Sequence, residues 1–162
     1  MQIWNLSAGF TRPANTTAYA SGQLVANSAT AGAVVPLAFT VGGNSMPGQF
    51  RLSRIRLFKS GTSNGNAQFR LHLYAASPTV ANGDGGTWSS NLAAAYLGSI
   101  DVASMKAFTD GCADVGDDAA GSEHWIRLPA GTAFYGLIEA RAAYTPAAGE
   151  QFTITLETVE EW

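Results

Sequence analysis

Charged residues are scarce in this sequence. Asp, Glu, Lys and Arg make up 13% of its 162 residues, about half of the usual share. The exterior must therefore be built mainly from Ser, Thr, Asn, Gly and Ala, as in proteins that pack side by side and in secreted sugar-binding modules. With nine Lys and Arg against twelve Asp and Glu, the formal net charge is −3. This balance argues against a nucleic-acid partner, which requires a basic face.

Cysteine occurs once, as Cys112. A single thiol cannot form an internal disulfide, which fits a reducing compartment or a fold that is indifferent to redox state. The opening residues, MQIWNLSAGFTRP, have neither a basic start nor a long apolar run. We therefore expect no signal peptide, no membrane span and a protein that is made and assembled in the cytoplasm.

Long amphipathic helices are also missing from the pattern, and apolar and polar residues alternate instead. Roughly eight short segments show this alternation at the spacing of sandwich proteins. The sequence therefore predicts an all-β fold, a two-sheet antiparallel β-sandwich of jelly-roll type. We expect one domain over residues 1–162, with 1–12 an N-terminal arm or first strand and 158–162 a C-terminal tail. Surface scaling predicts about 7,700 Å² of exposed area.

Two pairs of segments carry the clearest strand signals. Within Phe50–Lys59 the apolar residues lie first at even and then at odd positions. One face of the strand can therefore hold all of them only if a bulge falls near Ser53. The alternating segment Gln68–Tyr74 follows a turn-rich stretch, which predicts a long hairpin. The segments Ala133–Arg141 and Gln151–Glu157 form a second predicted pair, joined by a loop.

Catalytic and metal-binding patterns are weak. The acidic stretch Asp110–Asp118 lacks the spacing of a helix-loop-helix calcium loop, and Asp and Gly are ordinary turn formers. The same holds for Asn82–Gly86. His72 has the outward parity of its strand and His124 the inward parity, and no nucleophile context accompanies either. We therefore expect no catalytic residues, no metal and no cofactor, and a protein that is not an enzyme.

Several large aromatic side chains are candidates for contacts with a partner. Tryptophans in loops and terminal segments anchor protein partners or stack on sugars, and they also close sandwiches. A basic strip along one side of the predicted hairpin fits an acidic partner surface, although it also protects a solvated sheet face. Its residues are Arg51, Arg54, Arg56, Lys59 and Arg70. On these grounds the candidate contact residues are Trp4, Trp88, Trp125, Trp162, Arg54 and Arg56.

Several segments together resemble the head decoration, or cement, proteins of tailed bacteriophages and prophages. The similarity extends over about residues 8–158 and is carried by Phe10–Gly22, Leu24–Asn27, Arg56–Gly61, Phe69–Tyr74, Tyr96–Asp101 and Tyr135–Glu150. The resemblance implies a jelly-roll sandwich on the capsid exterior. It implies the major capsid protein as partner, and it transfers no catalytic residue.

Three functions follow as hypotheses. The leading one is a virion structural protein that self-associates as a dimer or trimer and staples neighbouring capsid subunits. The second is a carbohydrate- or receptor-binding module of a head fibre, tail or baseplate, with Trp88, Trp125 and Asp84 in contact with the ligand. The third is a hydrolase on a jelly-roll scaffold, which requires His72 and His124 to meet beside carboxylates.

Overall fold

The computed structural model of the chain describes residues 2–40, 49–89, 91, 93–117, 124–127 and 133–160. Within these ranges the chain forms β-strands and two short 3-10 turns, Ala31–Ala33 and Ala93–Ala95, and no α-helix. The strands are β1 Gln2–Thr11, β2 Gln23–Val25, β3 Leu37–Thr40, β4 Gln49–Lys59, β5 Phe69–Tyr74, β6 Tyr96–Val102, β7 Lys106–Phe108, β8 Gly111–Asp117, β9 His124–Arg127, β10 Ala133–Ala140 and β11 Gln151–Glu160.

The strands form two antiparallel sheets. The first sheet has the order β1-β11-β4-β8-β7, with β9 paired to the part of β4 that β8 leaves open. The second sheet has the order β2-β10-β5-β6, and β3 continues the β2 edge of β10. If β2 and β3 are counted as one strand, β8 and β9 as one, and the short edge strand β7 is set aside, each sheet has four strands. The chain crosses from one sheet to the other at every connection between these strands except β5–β6. This is the jelly-roll arrangement, and the predicted fold class is confirmed.

The predicted hairpin of β4 with β5 is wrong. β4 pairs with β11, β8 and β9 in the first sheet, whereas β5 pairs with β10 and β6 in the second. β10 and β11 are likewise divided between the sheets. Alternation identifies the buried face of a strand but not its neighbour, and residues 60–68 are too long a connection for a tight hairpin turn. The connection instead carries the chain from one sheet to the other.

The predicted bulge near Ser53 is confirmed. In the pairing of β11 with β4, Glu157 lies opposite Arg54 and Thr158 lies opposite Leu52, so Ser53 is the extra residue. Its hydroxyl donates to the main-chain oxygen of Glu157 at 3.1 Å. The bulge brings the apolar residues on both sides of Ser53 onto the same buried face.

The core lies between the sheets. Its largest side chains come from alternate positions of the central strands and are almost wholly buried: Phe50, Leu52, Ile55, Leu57, Phe69, Leu71, Phe134, Phe152 and Ile154. The exposed area is 7714 Å², in agreement with the scaling prediction. A second, smaller cluster lies on the outer face of the second sheet, where Val80 and Trp88 of the β5–β6 connection pack towards Tyr74 and Leu137.

The terminal segments and the acidic stretch also take defined positions. The arm-or-strand segment at the N-terminus is β1, which pairs with β11 over its whole length. Residues 158–160 belong to β11, and 161–162 lie outside the described residues. The acidic stretch was expected as a solvated loop. It forms the β7–β8 hairpin up to Asp117 instead, because β8 pairs with β4.

Candidate functional site

One end of the sandwich contains a buried ion pair. Arg12, directly after β1, donates from Nη2 to Asp84 Oδ2 at 2.9 Å, and the two side chains are 1% and 4% exposed. The Tyr19 hydroxyl lies between them, accepting from Arg12 Nε and donating to Asp84 Oδ1. Asp84 Oδ1 also accepts the main-chain N–H of Ala26 at 2.9 Å. Burial, together with the hydrogen bond to Asp84, raises the pKa of Tyr19 far above its ordinary value.

A second buried pair continues this arrangement. Lys59 Nζ donates to Glu150 Oε1 at 3.0 Å, and also to the carbonyl oxygens of Gly61 and Ser63. The ring of Tyr144 stacks on Tyr19 and its hydroxyl donates to Glu150 Oε2 at 3.4 Å. The ionised groups at this end therefore satisfy one another inside the protein. Such paired, hydrogen-bonded charges hold structure, and Asp84 is not available to a sugar.

His72 lies on the outer face of the second sheet, among several polar and aromatic side chains. His72 has the predicted outward parity, and its Nε2 lies 2.8 Å from Glu139 Oε2 while its Nδ1 lies 3.1 Å from the Tyr96 hydroxyl. The Trp88 ring stacks on the imidazole with the ring centres 4.1 Å apart. Burial lowers the pKa of His72, although the hydrogen bond to Glu139 opposes this effect.

Charged neighbours surround the His72–Glu139 pair. Arg141 Nη1 donates to Glu139 Oε1 at 2.7 Å. Next to it, Arg70 holds Asp101 through two hydrogen bonds of 2.6 and 2.8 Å, and the bond from Arg70 lowers the pKa of Asp101. Burial raises the pKa of nearby Tyr74 to about 12.

The hydrolase hypothesis requires His72 and His124 to meet beside carboxylates. His72 has hydrogen-bond partners at both imidazole nitrogens, and Trp88 covers one face of its ring. The backbone of His124 lies in β9 of the first sheet, whereas His72 points away from that sheet. The described residues therefore do not bring the two histidines together, which is the geometry that the hydrolase hypothesis requires.

The outer face of the first sheet contains an apolar groove, which we call the first-sheet groove. It has a volume of about 460 Å³ and lies between the β7–β8 hairpin and β4. Its exposed apolar side chains include Phe108 and Val115, which are 55% and 45% exposed. Polar side chains on its border are already paired, Arg56 with Glu157 at 3.1 Å and Lys106 with Asp114 at 3.5 Å. A partner side chain in this groove would bury apolar surface that is exposed in the isolated chain.

The predicted contact residues are dispersed. Trp4 packs half-buried on the core from β1, and its indole nitrogen has no hydrogen-bond partner among the described residues. Trp88 packs on the second sheet. Trp125 pairs through its backbone with Arg51, its side chain lies outside the description, and Trp162 lies outside the described residues altogether.

Arg54 and Arg56 are exposed on β4, and Arg56 borders the first-sheet groove. The other groove residues, Phe108 and Val115 among them, were not predicted from the sequence. Large apolar residues among the Asp and Gly of this acidic stretch are the signal that could have identified them.

The described part of the chain contains neither a metal-ligand cluster nor a membrane-spanning helix. No group of three or more His, Cys, Asp or Glu residues there is placed to hold a metal ion. No helix in that part is long and apolar enough to cross a membrane.

Comparisons with known proteins give structural similarities only. No family model and no curated protein matches the sequence. The chain is similar to the decameric BFDV capsid protein, with 12% identity and a TM-score of 0.33 over 97% of this chain and 95% of that one. The tomato aspermy virus structure is similar with 9% identity and a TM-score of 0.32, over 99% of this chain and 78% of that one. The CBM22-1–GH10 modules of Clostridium thermocellum xylanase 10B are similar with 11% identity and a TM-score of 0.37, over 96% of this chain and 26% of that one. The jelly-roll assignment rests on the strand order, and similarities at this level assign no function.

Proposed function

We propose that the protein is a non-enzymatic structural protein of a tailed-phage virion, which binds the outer capsid surface and staples neighbouring major capsid subunits. The sequence resemblance to head decoration proteins supports this role, and so does an exterior with few charges. It would be made in the host cytoplasm and would act on the capsid exterior. A DNA-filled shell is under internal pressure, and a protein bound across a subunit border adds contact free energy that opposes separation.

The observation that carries the proposal is the first-sheet groove. Phe108 and Val115 stand exposed on the face of a sheet, where an isolated soluble domain gains nothing from them. A capsid segment that lies in the groove would bury them. Many copies, each bound weakly, would together stabilise the shell, because every contact resists the same expansion.

Capsid binding tests the proposal. Purified protein is mixed with capsids of the encoding phage that lack it, and co-sedimentation and the melting temperature of the shell are measured. We expect binding and a higher melting temperature. A chain that leaves such shells undecorated and no more heat-resistant contradicts the proposal.

A matched pair of variants locates the contact. Val115→Ser removes exposed apolar surface from the groove, whereas Val35→Ser makes the same change at a position that is 68% exposed and lies outside the groove. We expect Val115→Ser to weaken capsid binding about tenfold, the effect of losing roughly 1.4 kcal/mol of contact free energy. Val35→Ser should bind like the wild type. Equal binding by both variants would show that the groove is not the capsid contact.

A further inference from the structure

Among the described residues, β1 is an edge strand of the first sheet and pairs with another strand on one side only. Its partner is β11, and Arg12 N–H bonds to Glu150 O in continuation of that ladder. Because hydrogen-bonding direction alternates along a strand, the even residues of β1 face β11. The N–H and C=O groups of the odd residues therefore face outwards: Ile3, Asn5, Ser7, Gly9 and Thr11.

β1 itself carries none of the sequence features that usually protect an edge. Its ten residues, QIWNLSAGFT, include no charged residue and no proline, and β1 pairs with β11 without a bulge. Ile3 is exposed by 56%. A long, uncharged edge is a template for adding another strand, and natural proteins seldom leave one open.

The other sheet edges in the described part of the chain are protected. β7 has three residues and begins with Lys106. β6 carries Asp101 and meets β5 through an irregular register. The edge formed by β2 and β3 is split into two short pieces, with Pro36 directly before the second. β9, a further edge strand of the first sheet, has four residues and ends in Arg127. The long, uncharged edge of β1 therefore differs from the other edges among the described residues.

We propose that β1 is a dimer interface, at which β1 pairs antiparallel with β1 of a second copy. The two-fold register that uses the whole edge places Ser7 opposite its own copy, Asn5 opposite Gly9 and Ile3 opposite Thr11. Five residues on each strand, each with one donor and one acceptor, then form about ten inter-subunit hydrogen bonds, a typical number for a stable interface.

A second copy fits this edge better than other occupants for two reasons. Self-pairing brings no like charges together, since β1 carries none. It also uses the free edge of both subunits and therefore stops at two copies, as closed two-fold assemblies do. Pairing of β1 with β7 of a neighbour would leave seven of the ten β1 residues uncovered.

The oligomeric state of the isolated protein tests the interface. Sedimentation equilibrium should show a dimer in the micromolar range. In Ser7→Lys two ammonium groups would face each other across the two-fold axis, so this variant should be monomeric. Thr153→Lys places the same charge one strand away from the edge and should remain dimeric. A monomeric wild type, or a Ser7→Lys protein that remains dimeric, would overturn the proposal.

Cysteine variants test the register. The Cα atoms of directly opposed, hydrogen-bonded residues lie about 5.5 Å apart, a distance that a disulfide spans. Ser7→Cys should therefore form a cross-linked dimer on mild oxidation, and Thr11→Cys, opposite Ile3, should not. The native Cys112 is buried and should not react. Cross-linking of both variants, or of neither, contradicts this register. The dimer forms without capsid, so it and the proposed capsid binding can fail separately.

Discussion

Arg12 and Asp84 lie 72 positions apart in the sequence and form a 2.9 Å ion pair in which both side chains are almost completely buried. Arg12 follows the edge strand of the first sheet, and Asp84 belongs to the connection between two strands of the second. The pair therefore joins the two sheets at one end of the sandwich. The turn sequence around Asp84 does not indicate an ion pair. The structural role of Asp84 depends on Arg12, which lies near it only in the folded chain.

Removing one partner of this pair should be strongly destabilising. In Asp84→Ala the buried guanidinium of Arg12 loses its carboxylate partner, although it keeps hydrogen bonds to Tyr19 and to main-chain oxygens, and the N–H of Ala26 loses its acceptor. We expect a loss of about 3–5 kcal/mol in the free energy of unfolding. Urea denaturation measures it. The matched control is Asp101→Ala, which breaks the exposed pair with Arg70 and should cost about 1 kcal/mol or less. Equal losses in the two variants would contradict the structural role of the Arg12–Asp84 pair.

How far the sequence determines the fold is clear from particular residues. The parity change in Phe50–Lys59 was sufficient to place the bulge at Ser53, because the period of a strand is strict. Strand pairing was not predictable, because Phe69, Leu71 and Leu73 would face inwards equally well in a hairpin with β4 or in the other sheet. The outward parity of His72 was visible, but the covering Trp88 was not, since a loop can fold onto either face.

The burial of His72 predicts a specific pH dependence. Its pKa in the folded protein lies below the ordinary value of 6.5, so the unfolded chain takes up the proton first. The contribution of neutral His72 to stability is fully present above that value and is lost as the pH falls from 6.5 towards the lowered pKa. The groups facing it, Glu139, Tyr96, Arg70 and Arg141, do not reverse this direction.

The measurement compares unfolding free energies at pH 8 and pH 5 for the wild type and His72→Gln. We expect the loss on acidification to be smaller in the variant, since Gln does not titrate. His124 is retained in both proteins, so its own titration cancels in the comparison. An identical loss in the two proteins would show that His72 is not responsible.

Gly116 should be required for the close approach of the two sheets. A Cβ atom at this position of β8 would lie 2.6 Å from Ile55 Cγ2 and 2.8 Å from the carbonyl oxygen of Asp101 in β6. The backbone contact cannot be relieved by a side-chain rotation, so Gly116→Ala should cost about 1–3 kcal/mol in thermal or urea unfolding. Gly32→Ala, where a Cβ has no atom within 4 Å, is the control and should leave stability nearly unchanged.

Trp88 distinguishes a structural side chain from a sugar platform. In the structure it stacks on His72 and packs against the small cluster with Tyr74 and Leu137. Trp88→Ala should therefore lower the free energy of unfolding by about 2 kcal/mol, less than for a fully buried aromatic residue. Phe108→Ala, at an exposed aromatic residue, should change it by no more than about 0.5 kcal/mol. A glycan-binding role predicts the reverse: a signal on a glycan array that Trp88→Ala abolishes while stability is unaffected. Because the stacked imidazole occupies one face of the indole, we expect the stability effect and no glycan signal.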